Sequence, residues 1–169
     1  MAIAFAGVRR LLAVLVFLLA PVTALAQTGP AWIVRAEAGM AGHHKLVANP
    51  RGAVAGVRVA RVWSRDLVRL DAGAAGSNAD EGFFAADVGL ELRLCRAGCR
   101  VTPFVAAFVG TLVEPTYGHS RMARAGGGID ISVGARQALR VAAYRGRHDR
   151  EARGPHTVLI GYSRRFGRN

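Results

Sequence analysis

Between Gly82 and Leu94 the sequence alternates without a break, and this constrains the fold more than any other feature. Phe84, Ala86, Val88, Leu90, Leu92 and Leu94 fall on one parity, while Phe83, Ala85, Asp87, Gly89, Glu91 and Arg93 fall on the other. A period of two marks a β-strand, whose successive side chains point to opposite faces. Soluble strands are usually about 5–6 residues long. A tilted strand that crosses a bilayer needs roughly 9–11, and this run is at least that long.

The same reading predicts seven further strands. Trp32 to Met40 sets Trp32, Val34, Ala36, Ala38 and Met40 against Arg35 and Glu37. Ala53 to Trp63 sets Ala55, Val57, Val59 and Trp63 against Arg58, and Leu67 to Gly73 sets Val68, Leu70 and Ala72 against Arg69 and Asp71. Arg100 to Gly110 is apolar on both parities and contains Pro103, which cannot donate to a ladder. Ala123 to Val133 sets Ile129, Ile131 and Val133 against Arg124, Asp130 and Ser132. Ala138 to Tyr144 sets Leu139, Val141 and Ala143 against Arg140 and Tyr144, and Thr157 to Phe166 aligns Val158, Ile160, Tyr162 and Phe166.

The connections left between these segments alternate in length. Those at 40–52, 74–81, 111–121 and 146–155 are long, and those at 64–66, 95–99 and 134–137 are short. Outer-membrane barrels have short periplasmic turns and longer extracellular loops. The expected fold is therefore all-β, an eight-stranded antiparallel up-and-down β-barrel in the outer membrane, with every long connection outside.

The two parities differ in chemistry. One is Val, Leu, Ile, Ala and Phe, with Trp32, Trp63, Tyr162 and Phe166 near strand ends, as in the aromatic girdles of membrane barrels. The other carries Arg35, Glu37, Arg58, Arg69, Asp71, Asp87, Glu91, Arg93, Arg124, Asp130 and Arg140, six basic and five acidic residues. The lumen of a barrel this narrow is just filled by side chains. Opposite charges there are expected to pair across the bore as a plug of salt bridges, which excludes an open channel. A soluble lipocalin-like barrel binding an apolar ligand has the same alternation with the polarity reversed. Strand length, alternating connections and balanced charge on one face favour the membrane. Arg61 breaks the apolar parity, and near a membrane edge it could snorkel.

The chain begins with a secretion signal: Arg9 and Arg10, then the apolar run Leu11–Ala20, then Ala24-Leu25-Ala26 as the small-residue cleavage site. Residues 1–26 are expected to be removed, leaving a barrel domain over 27–169. A membrane-anchor helix is disfavoured because Pro21 interrupts a stretch shorter than the roughly 20 residues required. Export places Cys95 and Cys99 in an oxidising compartment, where a pair this close is expected to form a disulfide across a tight hairpin.

Three segments carry a resemblance: Gly126-Gly127-Gly128-Ile129-Asp130-Ile131, Ala138-Leu139-Arg140-Val141, and Val158-Leu159-Ile160-Gly161-Tyr162-Ser163-Arg164-Arg165-Phe166. They resemble the last three strands of small bacterial outer-membrane β-barrel proteins, a family similar to the transmembrane domain of OmpA. Arg164 stands where that family has an apolar residue, and Gly167-Arg168-Asn169 follow the terminal aromatic. The resemblance implies contact with the barrel-assembly machinery during biogenesis.

Some members of that family modify lipid, so nucleophile and base candidates matter. His119-Ser120 with Glu114 offers such a set, but neighbours on a strand point to opposite faces, so His119 and Ser120 would not meet as base and nucleophile. An envelope enzyme acting on lipid is therefore the second reading, and no catalytic residue is assigned. His43, His44, His148 and His156 lack carboxylate or thiol ligands at matching spacing, so solvation is expected rather than metal. Gly126-Gly127-Gly128 does not lie between a strand and a helix, which excludes a dinucleotide cradle and leaves kinking of a barrel strand.

The formal charge of +12 suits an anionic partner, and export points to lipid phosphate rather than nucleic acid. Lys45, Arg51, Arg147, Arg150 and Arg153, read as loop residues, fit two readings equally: contact with lipopolysaccharide phosphates, or a plainly solvated charged loop. No cofactor is expected, and the barrel is expected to be a monomer.

Overall fold

The computed structural model describes residues 31–42, 52–63, 66–78, 82–95, 99–114, 118–149 and 156–167. The expected signal peptide and its cleavage site lie outside them. Eight strands form a closed barrel in sequence order: β1 Trp32–Gly42, β2 Gly52–Trp63, β3 Val68–Ser77, β4 Phe83–Arg93, β5 Val101–Glu114, β6 Gly118–Gly134, β7 Gln137–His148 and β8 His156–Phe166. Every pair is antiparallel, and β8 closes on β1 from Trp32↔Phe166 to Gly42↔His156. Closure leaves no strand edge unpaired, which is the condition for a sheet to survive in hydrocarbon.

The barrel has two ends. At the base lie Trp32 and Phe166, the residue 64–67 turn, the 94–100 turn and the 135–136 turn. The opposite end, the mouth, carries the connections at 43–51, 78–82, 115–117 and 149–155. Faces follow parity. Ala36, Phe84, Val88, Leu90, Leu92, Val141, Val158 and Ile160 are exposed on the outer wall, and Arg35, Arg58, Asp71, Glu91 and Arg140 are buried inside.

The expectation of alternating connection lengths needs correction. The segment 111–121, read as a long loop, is mostly ladder: Thr111↔Arg121 through Glu114↔Gly118 pair in register, leaving 115–117 as the connection. β3 runs on to Ser77, and β7 to His148, for the same reason. At the mouth-side ends of β6 and β7 hydropathy loses its period because His119, Arg121, Arg145 and Arg147 occupy the outer parity, and β3 ends there on alanine and glycine. The backbone ladder needs no apolar outer face and simply continues. Pro103 sits near the base-side start of β5 on the outer face, where its carbonyl still accepts from the Leu94 N–H at 2.9 Å.

The three glycines are explained by close approach. Pairing is unbroken through Gly126, Gly127 and Gly128, and the one register shift of this ladder lies at Ser132/Gly134. A Cβ on Gly126 would fall 2.0 Å from the Ala143 carbonyl oxygen and 2.8 Å from the Tyr144 ring. The wall is curved so tightly here that only glycine fits.

Candidate functional site

The lumen contains all eleven charged residues that the sequence analysis assigned to the inward face, joined in one chain of ion pairs. Nearest the mouth, Arg124 forms an ion pair with Asp87 at 2.7 Å, and Asp87 accepts a hydrogen bond from Arg58 at 2.7 Å. Arg58 Nε reaches Asp71 at 2.6 Å, and Asp71 accepts from Arg35 at 3.0 Å. Arg35 in turn lies 3.4 Å from Glu37 and 3.6 Å from Glu91. These contacts cross the bore, because β1, β2, β3, β4 and β6 each contribute to them.

The second half of the chain centres on Glu91, which is 0% exposed. It accepts two hydrogen bonds from Arg140, at 2.6 and 2.9 Å, and one from Arg69 at 3.1 Å. Arg140 and Arg69 share Asp130 as well, at 2.6 and 3.2 Å. Arg93 bridges Asp130 at 3.8 Å to Asp66, with which it makes a short ion pair. Bidentate arginine–carboxylate pairs of this kind fix geometry as well as charge.

Four participants were not singled out from the sequence. Asp66 is in the β2–β3 turn at φ 69°, a region that aspartate tolerates better than most residues. There it accepts from Arg69 at 2.8 Å and from Arg165 at 3.3 Å, closing the chain at the base. Arg165 was legible, since parity in β8 puts it opposite Val158, Ile160 and Tyr162. The other two are Phe104 and Phe108, on a strand whose apolar faces looked alike. Arg140 stacks 3.8 Å from the centre of the Phe104 ring, and Arg58 stacks 4.3 Å from that of Phe108. Arg124 lies 4.9 Å from both Phe108 and Tyr144, which meet edge to face at 5.7 Å. The rings cover guanidinium faces that no carboxylate can reach.

Towards the mouth the lumen becomes apolar, with Ala41, Val54 and Leu159 packed near Phe83, and Ala85, Leu112 and Met122 alongside. The space between this layer and the uppermost charges, bounded by Arg58, Asp87, Val54 and Leu159, is about 40 Å³. That exceeds the roughly 10–15 Å³ a single water requires.

The remaining candidates do not converge. Cys95 and Cys99 form a disulfide in the base-side β4–β5 turn. Ser120 is buried on the lumen side, and His119 is exposed on the outer wall. Glu114 shares the inward parity of Leu112, so it too lies across the wall from His119. His148 is inside, whereas His156 occupies the outer parity next to Arg145. His43, His44, Lys45, Arg51, Arg150 and Arg153 lie outside the described residues. Arg147, expected in a loop, belongs to β7 and is exposed on the outer wall.

This architecture is that of small outer-membrane β-barrels. The chain is similar to the N-terminal β-barrel domain of Pseudomonas aeruginosa OprF, with a TM-score of 0.61 and 13% identity over 79% of this chain and 97% of that one. It is similar to Neisserial surface protein A, with a TM-score of 0.62 and 10% identity over 83% of this chain and all (100%) of that one. The outer membrane enzyme PagL gives a TM-score of 0.51 at 16% identity, over 78% and 97% of the two chains. At such identities the likeness is one of fold. No protein-family model matches the chain, and no curated protein matches it in sequence.

Proposed function

We propose that the protein is a closed outer-membrane barrel with a structural or interaction role, anchored by its wall and acting through surfaces outside its lumen. The observation that carries this reading is the pairing of an apolar exterior with an ion-paired interior. Leu90, Val109, Val158 and Ile160 are 51%, 62%, 55% and 64% exposed, and among the described residues no apolar layer covers them. In water such a wall is an aggregation liability, and in a bilayer it is the correct outer surface. A lipocalin-like solution requires the reverse polarity, with the apolar set inside.

The lumen supports a non-conducting state. Its charges neutralise one another across the bore, and the aromatic rings and apolar mouth layer occupy much of what remains. The discriminating experiment is reconstitution of the full chain into planar bilayers, with a gel run with and without boiling. A heat-shifted band together with no stepwise current is the expected result. Reproducible ion-conducting steps would refute the closed lumen, and a band in the soluble periplasmic fraction, indifferent to heating, would refute the membrane placement.

A further inference from the structure

The outer wall is not uniformly apolar. Arg121 on β6 and Arg145 and Arg147 on β7 are exposed on the outward parity, the one that nearer the base carries Ile129, Leu139 and Val141. They are neighbours. Arg145 and Arg147 are two residues apart on one strand, about 7 Å, and Arg147 pairs across the ladder with Ala123, itself two residues from Arg121. Among the described residues none of the three makes an ion pair. Among the described residues the nearby carboxylate is Asp149, which accepts from the Arg121 backbone N–H at 3.2 Å. Counted over the described residues, three cations and one anion leave the cluster with a net charge of +2.

Beside the cluster the wall is hollow. Arg147 faces Ala123 and then Val109 across successive strands, and Arg145 faces Ala125 and then Ala107. Alanines on β5 and β6, flanked by the larger Leu90 and Val88 of β4, leave an open furrow of about 760 Å³, with the arginines along its far side. A second hollow of about 600 Å³ adjoins it between Arg121, Val109 and Arg147. Both are in the size range of small-ligand sites, roughly 300–1,000 Å³.

Their height on the wall is informative. Along β7 the outward parity begins at Gln137. At about 3.4 Å per residue and about 40° tilt, Arg145 and Arg147 stand roughly 21 and 26 Å above it. The apolar band of an outer-membrane barrel is about 25 Å tall, so the cluster lies at the far interface, where lipid headgroups begin.

We propose that this mouth-side face of β5–β7 binds lipopolysaccharide, with its phosphates held by Arg121, Arg145 and Arg147 and an acyl chain lying in the alanine furrow. The proposal rests on the membrane reading above and moves the lipid contact from the loops to the wall. Charge complementarity selects the occupant: guanidinium pairs with phosphate in bidentate fashion, and an apolar furrow directly below suits a ligand that carries acyl chains on the same molecule.

The test uses full-length protein extracted from outer membranes of a Gram-negative host in mild detergent. Heat-modifiability first establishes that each preparation is a folded barrel. Delipidated protein is then titrated with purified lipopolysaccharide, and with the same material after chemical removal of its phosphates, with native mass spectrometry counting bound lipid. Arg121→Gln/Arg145→Gln/Arg147→Gln is expected to weaken binding on the order of tenfold or more, the loss of at least one charge-assisted contact. The dephosphorylated lipid should bind wild type no better than intact lipid binds the variant. Should the triple variant lack the heat shift, Arg145→Gln/Arg147→Gln replaces it. Equal binding by wild type and variant, or equal binding of the dephosphorylated lipid, overturns the proposal. Absence of the heat shift in wild type is a separate result that overturns the membrane reading and the site with it.

Discussion

Glu91→Gln tests whether the ion pairs hold the barrel together or merely occupy it. The substitution keeps the side-chain shape and removes one negative charge at a fully buried carboxylate that meets three arginines. Glu91 is bound by Arg140 and Arg69 and lies 3.6 Å from Arg35. The ion-paired network comprises seven arginines (35, 58, 69, 93, 124, 140 and 165) and six carboxylates (37, 66, 71, 87, 91 and 130), so its formal charge rises from +1 to +2. Removing one partner of a buried pair costs about 3–5 kcal/mol. Glutamine retains one acceptor oxygen, and Arg140 retains Asp130 at 2.6 Å, so the lower end, about 3 kcal/mol, is expected. Glu37→Gln is the internal control: the ion pair of Glu37 is to Arg35 at 3.4 Å, and its loss should cost no more than about 1 kcal/mol. Urea unfolding in lipid vesicles, followed by fluorescence of the rim tryptophans Trp32 and Trp63, measures both. At a slope of about 1–3 kcal/mol per molar urea, Glu91→Gln should lower the midpoint by about 1–3 M. Equal midpoints for the two variants would refute the reasoning, because network connectivity would then carry no energy.

Other consequences are accessible by the same methods. Ile160→Arg, at a position 64% exposed on the outer wall, should cost up to about 2–4 kcal/mol in a bilayer; an unchanged midpoint would indicate an aqueous exterior. Gly126→Ala places a Cβ against the Ala143 carbonyl and should abolish the heat-shifted band, whereas Gly118→Ala, at φ +71° with open space around it, should cost only about 1–2 kcal/mol of backbone strain. Reducing Cys95–Cys99, a sequence separation of 4, frees so short a loop that no more than about 2 kcal/mol should be lost, with the barrel still heat-modifiable.

Where alternation was chemical as well as geometric, the sequence was readable. β4 is the clearest case, since its outer parity is apolar and its inner parity carries Asp87, Glu91 and Arg93. β5 was ambiguous because Phe104 and Phe108 face inward opposite outward Val105 and Val109, so hydropathy could not separate the sides. The mouth-side ends of β6 and β7 were misread for the opposite reason. Arg121, Arg145 and Arg147 occupy the outer parity, so the apolar period stops while the ladder continues. That failure of pattern coincides with the proposed lipid site. Asp66 was invisible because turn residues carry no parity. Its role depends on three strands bringing Arg69, Arg93 and Arg165 together, which spacing alone does not reveal.

The ion-pair network also bears on why the chain adopts this barrel and no neighbouring register. Buried ion pairs are weak sources of net stability, since desolvation consumes most of the Coulombic gain. They are strong discriminators here. A slip of one residue in any strand turns its inner face outward, and for β2, β3 or β7 in the proposed membrane placement that would move Arg58, Arg69 or Arg140 into lipid. Near mid-height an arginine in that position costs roughly 2–4 kcal/mol. The slip also strands the carboxylates left behind, each of which loses a partner within the bore. The slipped strand's Val, Leu and Ile side chains would meanwhile enter a lumen already lined with charge. Correct pairing avoids all three penalties together, and Glu91 and Asp130 link strands β1, β3, β4, β6 and β7 into one condition that is met only when each is in register. On this argument the network's main effect is on register, and single-residue slips should be penalised most where the arginine count is highest.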